Sequence, residues 1–131
     1  VGKLQVWGRE TDVYLDTGHA EGDDIDKIVT EKINWIERNK EKIMEAFMEE
    51  NDHYVDVVND MIACGDFKAD RPISADDFVN ALFVNNVTIW VKGMDTDFAL
   101  DLDAEPDYLL GHLAFMEIDN QYHVEFGGLN G

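Results

Sequence analysis

The chain has one cysteine, Cys64, one serine, Ser74, two prolines, and no Lys or Arg after Lys92. A lone cysteine excludes an intrachain disulfide and fits a reducing compartment, so a cytoplasmic location is expected. It also leaves no second thiol for a zinc site, and His19, His53, His112 and His123 show no H-E-x-x-H spacing. Ser74 lies outside any G-x-S-x-G run, and Cys64 has no basic neighbour in sequence to favour its thiolate, which makes inert packing its expected role. No Walker loop and no G-x-G-x-x-G occurs, and no stretch reaches the roughly 18 apolar residues of a membrane span. The N-terminal Val1-Gly2-Lys3-Leu4 lacks an apolar signal core.

Acids, by contrast, are abundant. Twenty-nine Asp and Glu face 10 Lys and Arg, for a formal net charge of -19, and nine of the acids follow Lys92. Such a field repels phosphate backbones and anionic headgroups, so neither nucleic acid nor membrane is an expected partner, while a cationic protein is. Hydrophobic residues make up 45% of the 131, enough for one folded domain with its own core and against intrinsic disorder.

No repeat, low-complexity tract or linker divides the chain, so residues 1–131 read as one domain. Leu4 to Trp7 and Val13 to Asp16 read as a hairpin around a turn over Gly8 to Thr11. A polar loop over Gly18 to Asp24 offers Asp23 or Asp24 as a helix cap. Ile25, Ile28, Val29, Ile33 and Ile36 then recur at helical spacing up to Asn39. A second helical pattern runs from Lys40 through Phe47, Val58 and Ile62 to Gly65, with Glu49 to Asp52 as a possible break. In Pro72-Ile73-Ser74-Ala75-Asp76-Asp77-Phe78, Ser74 is placed to cap Asp77, and Ile73 to staple Phe78, at the start of a short helix ending near Leu82.

The rest reads as sheet. Val87 to Val91 is β-branched and aromatic, and Phe98, Leu100 and Leu102 alternate with Ala99, Asp101 and Asp103 beyond a turn at Gly93 to Thr96. Leu113 to Ile118 and Tyr122, Val124 and Phe126 form a further pair around Asp119-Asn120. The expected fold is α+β: an antiparallel sheet of the N-terminal hairpin plus four C-terminal strands, with two to three helices on one face. Trp7, Trp35 and Trp90 are expected in the core or at its margin, and the methionines as gap fillers.

Asp101, Asp103, Glu105 and Asp107 form the densest acidic run. Read as a calcium loop it fails, because Pro106 and His112 occupy the places that need Gly and a bidentate Glu. No structural zinc or calcium and no cofactor is therefore expected.

The run Asp107-Tyr108-Leu109-Leu110-Gly111-His112, followed by an alternating strand and the Gly127-Gly128 end, resembles the bacterial family called domain of unknown function 2262. Members carry an Asp-Leu-Phe-x-Gly-His run before the penultimate strand. Asp107, Gly111 and His112 match that run, whereas Tyr108 and Leu109 stand in place of its Leu-Phe pair. The hairpin, helical middle and strand order are similar as well, so the resemblance covers most of the chain. It implies an α+β fold, supplies no catalytic residue and singles out His112.

Charge and motif together lead to an expected function as a non-catalytic protein-binding module, in concrete form an acidic immunity- or antitoxin-like inhibitor of a basic partner. Asp101, Asp103, Glu105, Asp107 and His112 are its expected contact residues. The alternative is an enzyme or metal-dependent binding protein in which His112 works with Asp107 or Asp101.

Overall fold

The computed structural model describes residues 2–17, 22–92 and 95–130, and the side chains of all of these but 22–24. Strands β1 (Gly2–Val6) and β2 (Arg9–Asp16) lead into helices α1 (Gly22–Arg38), α2 (Lys40–Asn51), α3 (His53–Cys64) and α4 (Ala75–Ala81). Strands β3 (Leu82–Lys92), β4 (Asp95–Ala104), β5 (Leu113–Ile118) and β6 (Val124–Asn130) follow. The fold is α+β, with one six-stranded sheet in the order β1-β2-β3-β4-β5-β6.

The sheet departs from the wholly antiparallel expectation at one place. β2 and β3 pair in parallel, from Asp12↔Asn86 to Asp16↔Trp90, while the other neighbours are antiparallel. All four helices lie between these two strands in sequence, and a helical crossover returns the chain to the end where it left, so β3 must run as β2 does. Among the described residues the helices number four rather than two or three, because the long pattern after Lys40 breaks at Asp52, inside the Glu49 to Asp52 stretch.

Local geometry follows the residues. The hairpin turns at Trp7-Gly8, not over Gly8 to Thr11, because Trp7 (φ 51°) and Gly8 (φ 81°) both take positive φ, the conformation of a two-residue hairpin loop. Thr11 thereby becomes a buried strand residue whose hydroxyl donates to the Arg9 carbonyl at 3.1 Å. Gly65 ends α3 at φ 85°, returning its N–H to the Ile62 carbonyl. Ser74 and Asp77 form the reciprocal capping box, and Ile73 and Phe78 are both buried beside it. Asn59 on α3 holds the approach to that helix from both sides, accepting from the Ile73 N–H at 2.7 Å and donating to its carbonyl at 2.9 Å. Of the expected polar loop Gly18 to Asp24 and turn Gly93 to Thr96, residues 18–21 and 93–94 lie outside the described residues, as do the side chains of the expected caps Asp23 and Asp24. The backbone of Gly22 to Asp24 already belongs to α1, and Asp95 and Thr96 belong to β4.

The core sits between the helices and one face of the sheet. Phe98, Leu100 and Leu102 point into it at 1%, 1% and 0% exposure. Trp35 of α1 meets Phe98 edge-on at 5.8 Å, and Phe47 of α2 meets Phe126 at 5.9 Å, so both helices bear on that face. α4 joins through Phe78, stacked with Phe47 at 6.1 Å and with Tyr108 at 5.7 Å. The opposite face carries no helix among the described residues: Tyr14 there is 46% exposed, and Asp16, Asp97, Glu117 and Glu125 are exposed beside it.

Candidate functional site

Alternation along β4 puts Phe98, Leu100 and Leu102 in the core and therefore sends Asp97, Asp101 and Asp103 to the open face. Of the five expected contact residues, Asp101 and Asp103 share that face, half-buried. Asp101 lies between Asn86 on β3 and Phe115 on β5, with Oδ1 shielded from solvent and unpartnered among the described residues. Glu105 is drawn off by Arg9, whose guanidinium lies 3.0 Å from its carboxylate and stacks 3.9 Å over the Phe83 ring. Asp107 is spent on local structure, accepting the Gly111 N–H at 3.0 Å.

His112 closes the same turn with its backbone N–H on the Leu109 carbonyl at 3.1 Å. The ion pairs among the described residues are Lys3–Asp12, Arg9–Glu105, Lys32–Glu31 and His123–Asp119, and His112 enters none of them. Cys64, the last residue of α3, is exposed rather than packed, its thiol 3.2 Å from the Asp66 carboxylate.

A denser acidic site forms across strands rather than along one. The register sets Trp90 opposite Asp97, Ala99 opposite Glu117, and Glu117 opposite Glu125. Trp90, Asp97, Glu117 and Glu125, with Asp119 and His123 from the β5–β6 turn, line a hollow of about 160 Å³ to which Phe98 and Ile118, turned toward the core, also contribute atoms. Trp90 is absent from the core cluster that includes Trp7 and Trp35, because Ile89 and Val91 take the inward positions and leave the indole on the open face. Ala99, between the acids, is small enough to be covered by its neighbours at 1% exposure.

The turn is held by its own carboxylate. Asp119 accepts the N–H groups of Gln121 and His123, each at 2.9 Å, and its second oxygen lies 3.0 Å from the His123 ring. The His123 backbone N–H chiefly holds the Asp119 carboxyl below the usual carboxylate range, with help from the imidazole and the Gln121 N–H, so the negative charge persists at mildly acidic pH. Asn120 ties this turn to β4, its N–H donating to Asp97 at 3.1 Å and its side chain accepting the Thr96 N–H at 3.2 Å.

Chemically, the hollow is a cation acceptor. Two glutamates placed directly opposite one another repel, and no Lys or Arg lines the hollow to offset them. An indole face beside carboxylates suits a guanidinium or ammonium group. Among the described residues no group of three His, Cys, Asp or Glu is arranged to hold a metal ion. Sequence reasoning missed the site by weighing acids along the chain; the signal present was one outward acid on each of three strands, Asp97, Glu117 and Glu125, that prove to be successive neighbours.

No family model, curated protein or solved structure matches this chain.

Proposed function

We propose that the chain is a non-catalytic protein-binding module that takes a basic partner on its open sheet face, in concrete form an acidic immunity- or antitoxin-like inhibitor. The observation that carries this reading is the register pairing of Glu117 with Glu125 beside Trp90 and Asp97, an unneutralised acid-aromatic hollow in a chain of net charge -19. A partner's Arg or Lys side chain entering the hollow relieves the carboxylate repulsion and lies against the indole. Asp101 and Asp103 extend the acidic strip along β4, so the field reaches well beyond one pocket. Kinship with the family that the Asp107-to-His112 run resembles belongs to this reading only as to fold, since that resemblance assigns no activity.

The test is capture from native lysate at low salt, followed by association kinetics with the protein recovered. Neutralising the hollow (Asp97→Asn, Glu117→Gln, Glu125→Gln) is expected to slow association at least about tenfold at low salt and to flatten its salt dependence. The urea midpoint should stay level or rise, because repelling charges have been removed. Association at the parent rate in low salt overturns the assignment.

A further inference from the structure

The helical layer carries a second concavity, on the side of the molecule away from the acidic sheet face. Between α2 and α4 runs a groove of about 590 Å³. Met44 and Met48, one turn apart on α2, form one wall, and Ala75 and Val79, one turn apart on α4, form the other. Met44 is buried at 4%, while Met48 and Val79 remain half-buried and Ala75 is exposed, so the floor is apolar and the upper walls are uncovered. Unbranched thioethers adapt to the shape of whatever packs on them.

The rim has a sign. Glu41, Glu45 and Asp76 line the groove against a single cation, Lys40, whose ammonium lies 5.2 Å from the Trp7 ring centroid and is thereby engaged by the N-terminal hairpin. An apolar floor between two helices, edged by carboxylates, is complementary to a helix with one apolar and one basic face. α4 has seven residues, or about 10 Å of helix, which matches roughly two turns of an incoming segment with anchors at i, i+3 or i+4, and i+7. A second copy of this chain, with a net charge of -19, is a poor occupant by the same electrostatics.

We infer that the α2–α4 groove docks a basic amphipathic helix of a partner protein. This surface is separate from the Trp90 hollow, and its occupation does not depend on the function proposed for that face.

The experiment uses the full chain with ¹³C-methyl methionine. The probe is an end-capped peptide of about 14 residues, long enough for a short helix, built from Leu and Lys with Leu at i, i+3, i+4 and i+7. A peptide of the same composition with that spacing shuffled controls for simple charge attraction. Saturable shifts of the Met44 and Met48 methyls, with Met61 and Met116 unmoved, are expected from the first peptide and not from the shuffled one. Met48→Gln should weaken binding about tenfold, as loss of one buried anchor does, and an unmoved Met116 signal will report an intact core. Glu41→Gln with Glu45→Gln should weaken binding and reduce its salt dependence, whereas the neutralised Trp90 hollow should leave it unchanged. Equal response to the shuffled peptide, shifts spread over Met61 and Met116, or parent-like affinity in Met48→Gln overturns the inference. So do Met44 and Met48 shifts that grow with protein concentration alone, which mark a second copy as the occupant.

Discussion

The Lys32 ammonium donates to the Tyr122 hydroxyl at 2.9 Å and lies 4.5 Å from the centroid of the same ring, joining α1 to the turn before β6. Lys32 is 4% exposed, and its ion-pair partner among the described residues, exposed Glu31, stands off at 3.9 Å. Trp35 stacks on Tyr122 at 5.0 Å, so the cation is held by an aromatic group more than by an ion pair. Tyr122→Phe keeps the ring but strands a buried donor, and should cost about 1–3 kcal/mol. Lys32→Met removes the charge itself and should cost less, with the double variant close to Lys32→Met alone. Urea midpoints check all three, and a parent-like midpoint for Tyr122→Phe would show that the hydroxyl contributes nothing.

The capping box gives α4 a pH dependence with a definite sign. The Ser74 N–H, 3.0 Å from Asp77, is the chief cause holding that carboxyl below the usual carboxylate range, against partial desolvation. A carboxylate depressed in the folded state stabilises fully above its unfolded-state value, and the benefit fades as pH falls through the folded one. Asp77→Asn should therefore unfold at lower urea than the parent at neutral pH, with the gap closing as pH falls through the lowered folded-state value. Ser74→Ala, which loses the side-chain acceptor for the Asp77 N–H, should cost about 0.5–2 kcal/mol. A gap that stays constant with pH would assign the effect to packing instead of charge.

Gly127 is required by contact and not by backbone conformation. A Cβ there would stand 2.7 Å from Phe115 Cδ2 and 2.8 Å from Glu117 Oε1. Gly127→Ala must push both side chains across the open face, and a loss of about 1–3 kcal/mol is expected from such overpacking. Because Glu117 lines the same hollow as Trp90, the same variant should shift the Trp90 indole N–H resonance, which a purely local clash at the strand edge would leave in place.

Much of this fold was legible because single short signals decide local structure. Ser74 with Asp77, Gly65, and the alternation of Phe98, Leu100 and Leu102 each name one conformation, and each is realised. The parallel β2–β3 pair was not legible, since direction depends on where a long helical excursion returns the chain and not on the strands themselves. Trp90 shows the same limit at the level of one residue. As an aromatic among β-branched neighbours it suits a core, yet its parity with Ile89 and Val91 turns it outward, and only the register reveals that Asp97 waits opposite. The acidic run at Asp101 to Asp107 was visible because it is contiguous, and it dissolves into a salt bridge, a turn and a strand face for want of any element that gathers it.

The parallel pair also divides the sheet by how each seam can form. β1 closes on β2 through a two-residue turn, and β3 to β6 follow one another as antiparallel neighbours, so every pairing but one joins strands adjacent in both chain and space. The β2–β3 seam alone waits for the whole stretch 17–81 to be brought to closure, a conformational cost that rises with loop length. The N-terminal hairpin thus joins a four-stranded meander along one parallel seam, backed by the Trp7 indole donating to the Ile36 carbonyl and by the Arg9–Glu105 pair, and that late-closing seam is where slow folding should concentrate.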